Sequence, residues 1–148
     1  MSTEENKALV RRLIEEDKKR NLDGIVALYA PDYVIHGGEV YGLPPTYTPG
    51  LEGLKQICTA FWTAYPDEHM VVEDMIAEGD KVAYRFTLRA THQGEFLGIP
   101  PTGKAVAVTG IYISRLAGGR FVEDWRQVDD LGWLQQLGAM PQMAQAGA

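Results

Sequence analysis

The stretch "KAVAVTGIYISRLAGGRFVEDWRQV", residues 104–128, decides what kind of fold this chain can adopt. Apolar residues alternate with others along two runs of strand length, and Ala117-Gly118-Gly119 stands between them. Adjacent glycines between two such runs mark a hairpin, because tight two-residue turns need positive φ. The preceding segment, "HMVVEDMIAEGDKVAYRFTLRATHQ" at 69–93, repeats the pattern around Glu78-Gly79-Asp80. Two successive hairpins predict an antiparallel sheet.

Upstream, the apolar period lengthens from two to that of a helix. Leu9, Val10, Leu13 and Ile14 share one helical face, and Ser2, Thr3, Glu4 and Glu5 are start signals. Asn21-Leu22-Asp23-Gly24 breaks that helix, and Asp23 is placed to cap a short second one carrying Ile25, Val26, Leu28 and Tyr29. "PDYVIHGG" (31–38) then predicts a brief extended piece. "GLPPTYTPG" (42–50) reads as a rigid loop in which Thr48 caps and Pro49 opens a third helix. That helix turns Leu51, Leu54, Ile57, Cys58 and Phe61 inward and ends at Pro66. After the second hairpin, Asp129 or Asp130 caps a last helix, with Leu131, Leu134 and Leu137 inside and Gly138 as its stop. Residues 142–148 read as a frayed tail. Helices followed by antiparallel strands give an α+β class. The expectation is one domain over 1–148, a curved sheet folded over the helices around a cone-shaped cavity, a common place for a small-molecule site.

Composition narrows the function. A net charge of −6 argues against general affinity for nucleic acid or anionic lipid. The basic residues Arg11, Arg12, Lys18, Lys19 and Arg20 are interrupted by Glu15, Glu16 and Asp17, as on a solvated helix face. Cys58 is the only cysteine, so an intrachain disulfide and a multi-cysteine metal site are excluded. Its apolar helical setting predicts an inert thiol. Neither a secretory h-region nor an apolar run of transmembrane length is present, so the expected address is the cytoplasm. With no phosphate-cradling glycine loop, His pair of metal-ligand spacing or Ser nucleophile elbow, the expectation is no metal and no cofactor.

Three motifs carry a resemblance: Asp32-Tyr33-Val34 with His36, "HQGEFLGIPPTG" at 92–103, and "GGRFVEDWRQVDDLGWLQQLG" at 118–138. Together with length and element order they resemble the SnoaL-like polyketide cyclases and ester cyclases of the nuclear-transport-factor-2-like superfamily, over about residues 5–141. The resemblance implies an α+β cone with an internal pocket, dimerisation through the sheet, and ring closure by intramolecular aldol condensation without metal or cofactor. It also implies that the acid/base aspartate of the last strand falls on Arg126 and the cyclase histidine on Tyr112. A guanidinium cannot abstract a proton near neutral pH. The family's aldol route, and the related epoxide-hydrolase route that uses an acid at the same position, are therefore in question for this chain.

The candidate catalytic residues are His36, Asp129 and Arg126. Arg126 is either an oxyanion or carboxylate clamp, or a salt-bridge partner of Glu123, Asp124 or a neighbouring strand. Asp129 is either a buried base or a helix cap. His36 is either a proton shuttle at the pocket mouth or a solvent-facing loop histidine. Tyr33, Trp62, Arg85, His92, Tyr112 and Trp125 are the candidate substrate-binding residues. Tyr84 belongs with the aromatic lining, Arg89 pairs with Arg85, and His69 reads as surface. One conflict stands out. Apolar bulk turns Phe121 and Trp125 toward the core, the resemblance turns Arg126 there, and an ideal strand cannot do both. A bulge or a covered outer face would reconcile them.

Two functions follow: a cyclase or isomerase for a small hydrophobic carbonyl compound, and a non-catalytic binding domain of the same fold. A dimerisation module with a filled cavity is a third. A homodimer is expected because both faces of residues 105–115 are apolar: Val106 and Val108 on one, Ala105, Ala107, Ile111 and Ile113 on the other.

Overall fold

In the computed structural model, which describes residues 1–37 and 50–140, four helices and five strands follow in the order α1 (Thr3–Lys18), α2 (Leu22–Val26), β1 (Tyr29–His36), α3 (Leu51–Ala64), β2 (His69–Glu78), β3 (Lys81–Thr91), β4 (Ala105–Ala117), β5 (Arg120–Val128) and α4 (Asp130–Gln136). The start of α1 is a capping box. Ser2 Oγ accepts from Glu5 N–H at 3.1 Å, and Glu5 Oε1 accepts from Ser2 N–H at 3.4 Å. Asn21, rather than Asp23, caps α2, accepting from Gly24 N–H at 3.2 Å. Tyr29 opens β1 instead of ending α2, and Gly50 occupies the N-cap of α3. Thr48 and Pro49, like the 142–148 tail, lie outside the described residues.

The sheet order is β1-β5-β4-β3-β2. The two predicted hairpins supply its antiparallel pairs, β2 with β3 and β4 with β5. Gly118 and Gly119 sit at φ +59° and +77° between the paired Ala117 and Arg120, the geometry an L side chain resists. β1 adds parallel to β5, pairing residues nearly ninety positions apart in the chain (Ile35 with Asp124). The curved sheet wraps over the N-terminal helices.

The core lies on the concave face. Val82, Tyr84, Phe86, Leu88 and Ala90 of β3 alternate inward, and Val106, Val108 and Leu116 of β4 meet them. Val10, Ile25, Ala64 and Tyr65 close the cluster from the helical side. Each large side chain so buried contributes about 1.5–3 kcal/mol. In α4 and at its C-cap the inward residues are Trp133 and Leu137, whereas Leu131 is 45% exposed; the expectation that Leu131 faces inside is corrected, because Trp133, two residues on, takes the inward face.

β5 resolves the face conflict with a bulge. Leu116 pairs with Phe121 and Arg115 with Glu123, so Val122 is one residue in excess. The parity of the strand shifts there. Phe121 points inward and stacks on Tyr29 at 4.9 Å, and Asp124, Arg126 and Val128 also point inward. Glu123, Trp125 and Gln127 are left on the convex face. That face also exposes Val71, Ile76, Ile111 and Ile113.

Candidate functional site

Inside an otherwise apolar concavity, β1, β4 and β5 bring together a set of polar side chains. Asp124 is 3% exposed. Its Oδ1 accepts from Ser114 Oγ at 2.5 Å and its Oδ2 from Tyr33 Oη at 2.6 Å. Ser114 is fully buried opposite Asp124 in the β4–β5 register, with the Tyr84 phenol beside it. Burial pushes the Asp124 carboxyl above the usual carboxylate range, and the two hydroxyl donors oppose that shift. The same burial, with the Asp124 charge nearby, raises the Tyr29, Tyr33 and Tyr84 phenols.

Two residues along β5, Arg126 lies across from Tyr112. Its guanidinium makes a fork to Asp130, with Nη1 to Oδ2 at 2.9 Å and Nη2 to Oδ1 at 2.7 Å, and Nη1 also donates to Gly37 O at 3.2 Å. Both side chains are largely buried, 12% and 15% exposed. Burial works against the charge on Arg126, but the Asp130 carboxylate and the Tyr112 phenol together more than offset it, so the group stays ionised. Gly37, at φ +80°, passes so close to the Arg126 carbonyl that a Cβ there would collide with it. Burial raises the Tyr112 phenol and Arg126 pulls it back. Since the Arg126 guanidinium beside the phenol has only hydrogens to give, the Tyr112 O–H remains able to donate elsewhere. The Tyr84 and Tyr112 rings stack at 5.7 Å, linking the two halves of the cluster.

Of the residues singled out from sequence, the structure thus brings together Tyr33, Tyr112 and Arg126. The ion-pair partner of Arg126 is Asp130, not Glu123, Asp124 or a neighbouring strand. The others stand elsewhere. Asp129 is the N-cap of α4, accepting from Gly132 N–H at 2.9 Å. Its replacement by alanine is expected to cost about 1 kcal/mol in urea unfolding and to leave ligand handling unchanged; a larger loss of turnover would return Asp129 to the site. His36 is exposed at the end of β1, with Nε2 2.6 Å from Glu123 Oε2 and its ring stacked on Trp125 at 5.4 Å, both on the convex face. Arg85 is on that face too, along a shallow groove of about 370 Å³ with Thr109, Ile111 and Gln127. Trp62 faces α1, donating to Asp17 Oδ1 at 3.0 Å. His92 is fully buried beneath the 92–104 loop. Its Nδ1 accepts from Thr102 N–H at 3.1 Å, so the ring hydrogen is assigned to Nε2, which has no partner among the described residues. The Cys58 thiol is pushed up to about 12, chiefly by burial, which fits the inert reading.

Sequence reasoning missed Asp124, Ser114 and Asp130 as members of the cluster. A signal existed for Asp124: it is two residues from Arg126 and shares its strand face. Among the described residues no group of three or more His, Cys, Asp or Glu is arranged to hold a metal ion, and no helix is long and apolar enough to cross a membrane.

The profile of the SnoaL-like polyketide cyclase family matches residues 7–137. Among solved structures, the chain is similar to AclR of Streptomyces galilaeus, described as a candidate hydroxylase, at 31% identity over 98% of this chain and 92% of that one, with a TM-score of 0.81. It is similar to IdmH of Streptomyces antibioticus, described as a candidate polyketide cyclase, at 34% identity over 90% and 98%, with a TM-score of 0.75. TsrD of Streptomyces laurentii shares the fold, with a TM-score of 0.82 at 24% identity over 95% and 99%. No curated protein matches the chain.

Proposed function

The chain belongs to the SnoaL-like polyketide cyclase family, and from that premise we propose that it is a cyclase- or isomerase-type catalyst for a small hydrophobic carbonyl compound, using acid/base chemistry without a cofactor. The observation that carries this reading is the pairing of buried Asp124 with Tyr33 beside the Tyr112–Arg126 contact. Tyr112 donates its O–H to the carbonyl oxygen, and Arg126 behind it favours the charge that develops there. Tyr33 takes the proton from the carbon next to the carbonyl and passes its own to Asp124, whose raised pKa suits it to hold that proton. In this scheme Arg126, at the position where the family resemblance places the acid, serves as a fixed positive charge. The acid/base role moves to Asp124, in place of His36 and Asp129.

Relatives of this frame are described as a candidate hydroxylase and a candidate cyclase, so the test reads an elementary step common to many carbonyl reactions. Small aryl ketones in deuterated buffer with a chelator are expected to exchange α-hydrogens when the protein is present, followed by NMR. Tyr112→Phe is expected to slow the exchange about 10²-fold or more. Ligand binding without exchange favours the second reading, a binding domain. One observation supports that second reading: both Asp124 oxygens and the Arg126 fork already have protein partners.

The partner proposed for the convex face is a second copy of the chain. Ile111 and Ile113 are 45% and 38% exposed there, beside Val71 and Ile76, an apolar area of the kind that associates in water. Light scattering at micromolar concentration is expected to give twice the chain mass; the chain mass itself would sink the idea.

A further inference from the structure

The end of α1 is tied to the corner between α3 and β2 by two carboxyl groups and one guanidinium. Arg20 adopts φ +54°, a conformation that disfavours residues with a Cβ and persists only where surrounding contacts hold it. Those contacts are Asp17 O at 3.0 Å, Pro66 O at 3.0 Å, Glu68 O at 3.4 Å and Glu68 Oε1 at 2.9 Å. The guanidinium also lies 5.6 Å from the Trp62 ring, and Trp62 Nε1 donates to Asp17. The Glu68 side chain is only 2% exposed, and its carboxyl stands beside that of Asp17.

Two carboxylates beside a single guanidinium leave one negative charge in excess, and a proton held between them removes it. Arg20 balances one negative charge. With the shared proton the cluster is neutral, and without it one buried charge is uncompensated. The titratable and charged groups facing Glu68 are Asp17 and Arg20 from the end of α1 and Cys58 from α3; neighbouring Asp67 turns its carboxylate to Thr91 at 2.7 Å. Burial, then the hydrogen bond and charge of Asp17, push Glu68 up to about 8 against the pull of Arg20. Cys58, already pushed up to about 12, adds no charge at neutral pH.

We propose that Asp17 and Glu68 form a proton-dependent clasp that holds the end of α1 to the α3–β2 corner, closed while they share a proton and loosened when both are ionised. Because α3 packs Leu54, Cys58 and Phe61 against the core, the clasp governs how firmly this helix is held over the sheet. Its sign follows from linkage. Glu68 keeps its proton to higher pH in the fold than in the unfolded chain, whose carboxyl titrates near 4.5. The contribution is fully present below that pH and is lost as pH rises through about 8, changing the folding equilibrium by up to about tenfold per pH unit between.

The test is urea unfolding of the full chain at several pH values from 5 to 9, wild type beside Glu68→Gln, whose amide mimics the protonated acid. The chain's three histidines titrate in this range, so the difference between the two proteins is what is read. That difference is expected to grow with pH toward about tenfold per unit, with Glu68→Gln the more stable at pH 8–9. Hydrogen exchange in the last turn of α1, corrected for intrinsic rate, is expected to rise between pH 6 and 9 in wild type alone. Parallel pH curves overturn the proposal. If Glu68→Gln does not fold, Asp17→Asn makes the same test: the pH window moves down toward ordinary carboxylate values, and an unmoved window overturns the clasp.

Discussion

Asp124→Ala is expected to lower stability by about 3 kcal/mol, because it strands the hydroxyls of buried Ser114 and half-buried Tyr33 and opens a cavity. Ser114 Oγ and Tyr33 Oη, donating at 2.5 and 2.6 Å, lose their common acceptor, and Ser114 is fully buried. Asp124→Asn keeps the shape and one carbonyl acceptor and is expected to cost about half as much. The pH dependence separates carboxyl from scaffold. Burial raises the Asp124 pKa above 3.8, so its contribution is fully present below that pH and lost as pH rises through the folded value. In Asp124→Asn this dependence disappears. If Asp124 holds the proton in turnover, Asp124→Asn also lowers α-hydrogen exchange by about 10²–10⁴-fold at temperatures where the variant is fully folded. Full exchange activity in a folded Asp124→Asn protein would leave the carboxyl a structural acceptor only.

The second large effect is at Arg126. Arg126→Ala leaves Asp130, only 15% exposed, without its partner, at a cost of about 2–4 kcal/mol. Arg126→Lys recovers part of this, since an ammonium cannot reproduce the fork to both oxygens. Arg126→Asp is expected to be the least stable of the three, because it sets a third carboxylate between Asp124 and Asp130. The double variant Arg126→Ala with Asp130→Ala decides between roles. Both readings predict recovered stability relative to Arg126→Ala, as in a double-mutant cycle for a paired charge. A purely structural ion pair predicts that exchange recovers as well. A charge acting on Tyr112 predicts that it does not. Unfolding curves and exchange rates on the same four proteins supply the measurement.

What could be read from residues alone was whatever depends on neighbours in the chain. Hairpin positions follow from Glu78-Gly79-Asp80 and Ala117-Gly118-Gly119, since a reversal in two residues is a local steric matter. The caps at Ser2 and Asp129 are local too, each satisfying a backbone N–H three residues on. The α+β class follows from the change of period along the chain. The site is different, because its members meet across the sheet. Asp124 and Tyr33 are 91 residues apart. They meet because β1 adds parallel to β5, an arrangement that neither strand's sequence specifies. The single extra residue at Val122 reverses the inward face of everything after it. Counting alternation from Phe121 therefore places Trp125 inside, whereas the folded strand turns Asp124 and Arg126 there and leaves Trp125 under His36. Asp130 was legible as a possible cap, but its pairing with Arg126 depends on the angle at which α4 leaves β5, which only packing of Trp133 and Leu137 on the core sets. Local sterics and hydrogen bonds wrote the elements into the sequence; parity and partner choice, which decide the chemistry of the interior, are properties of the closed sheet.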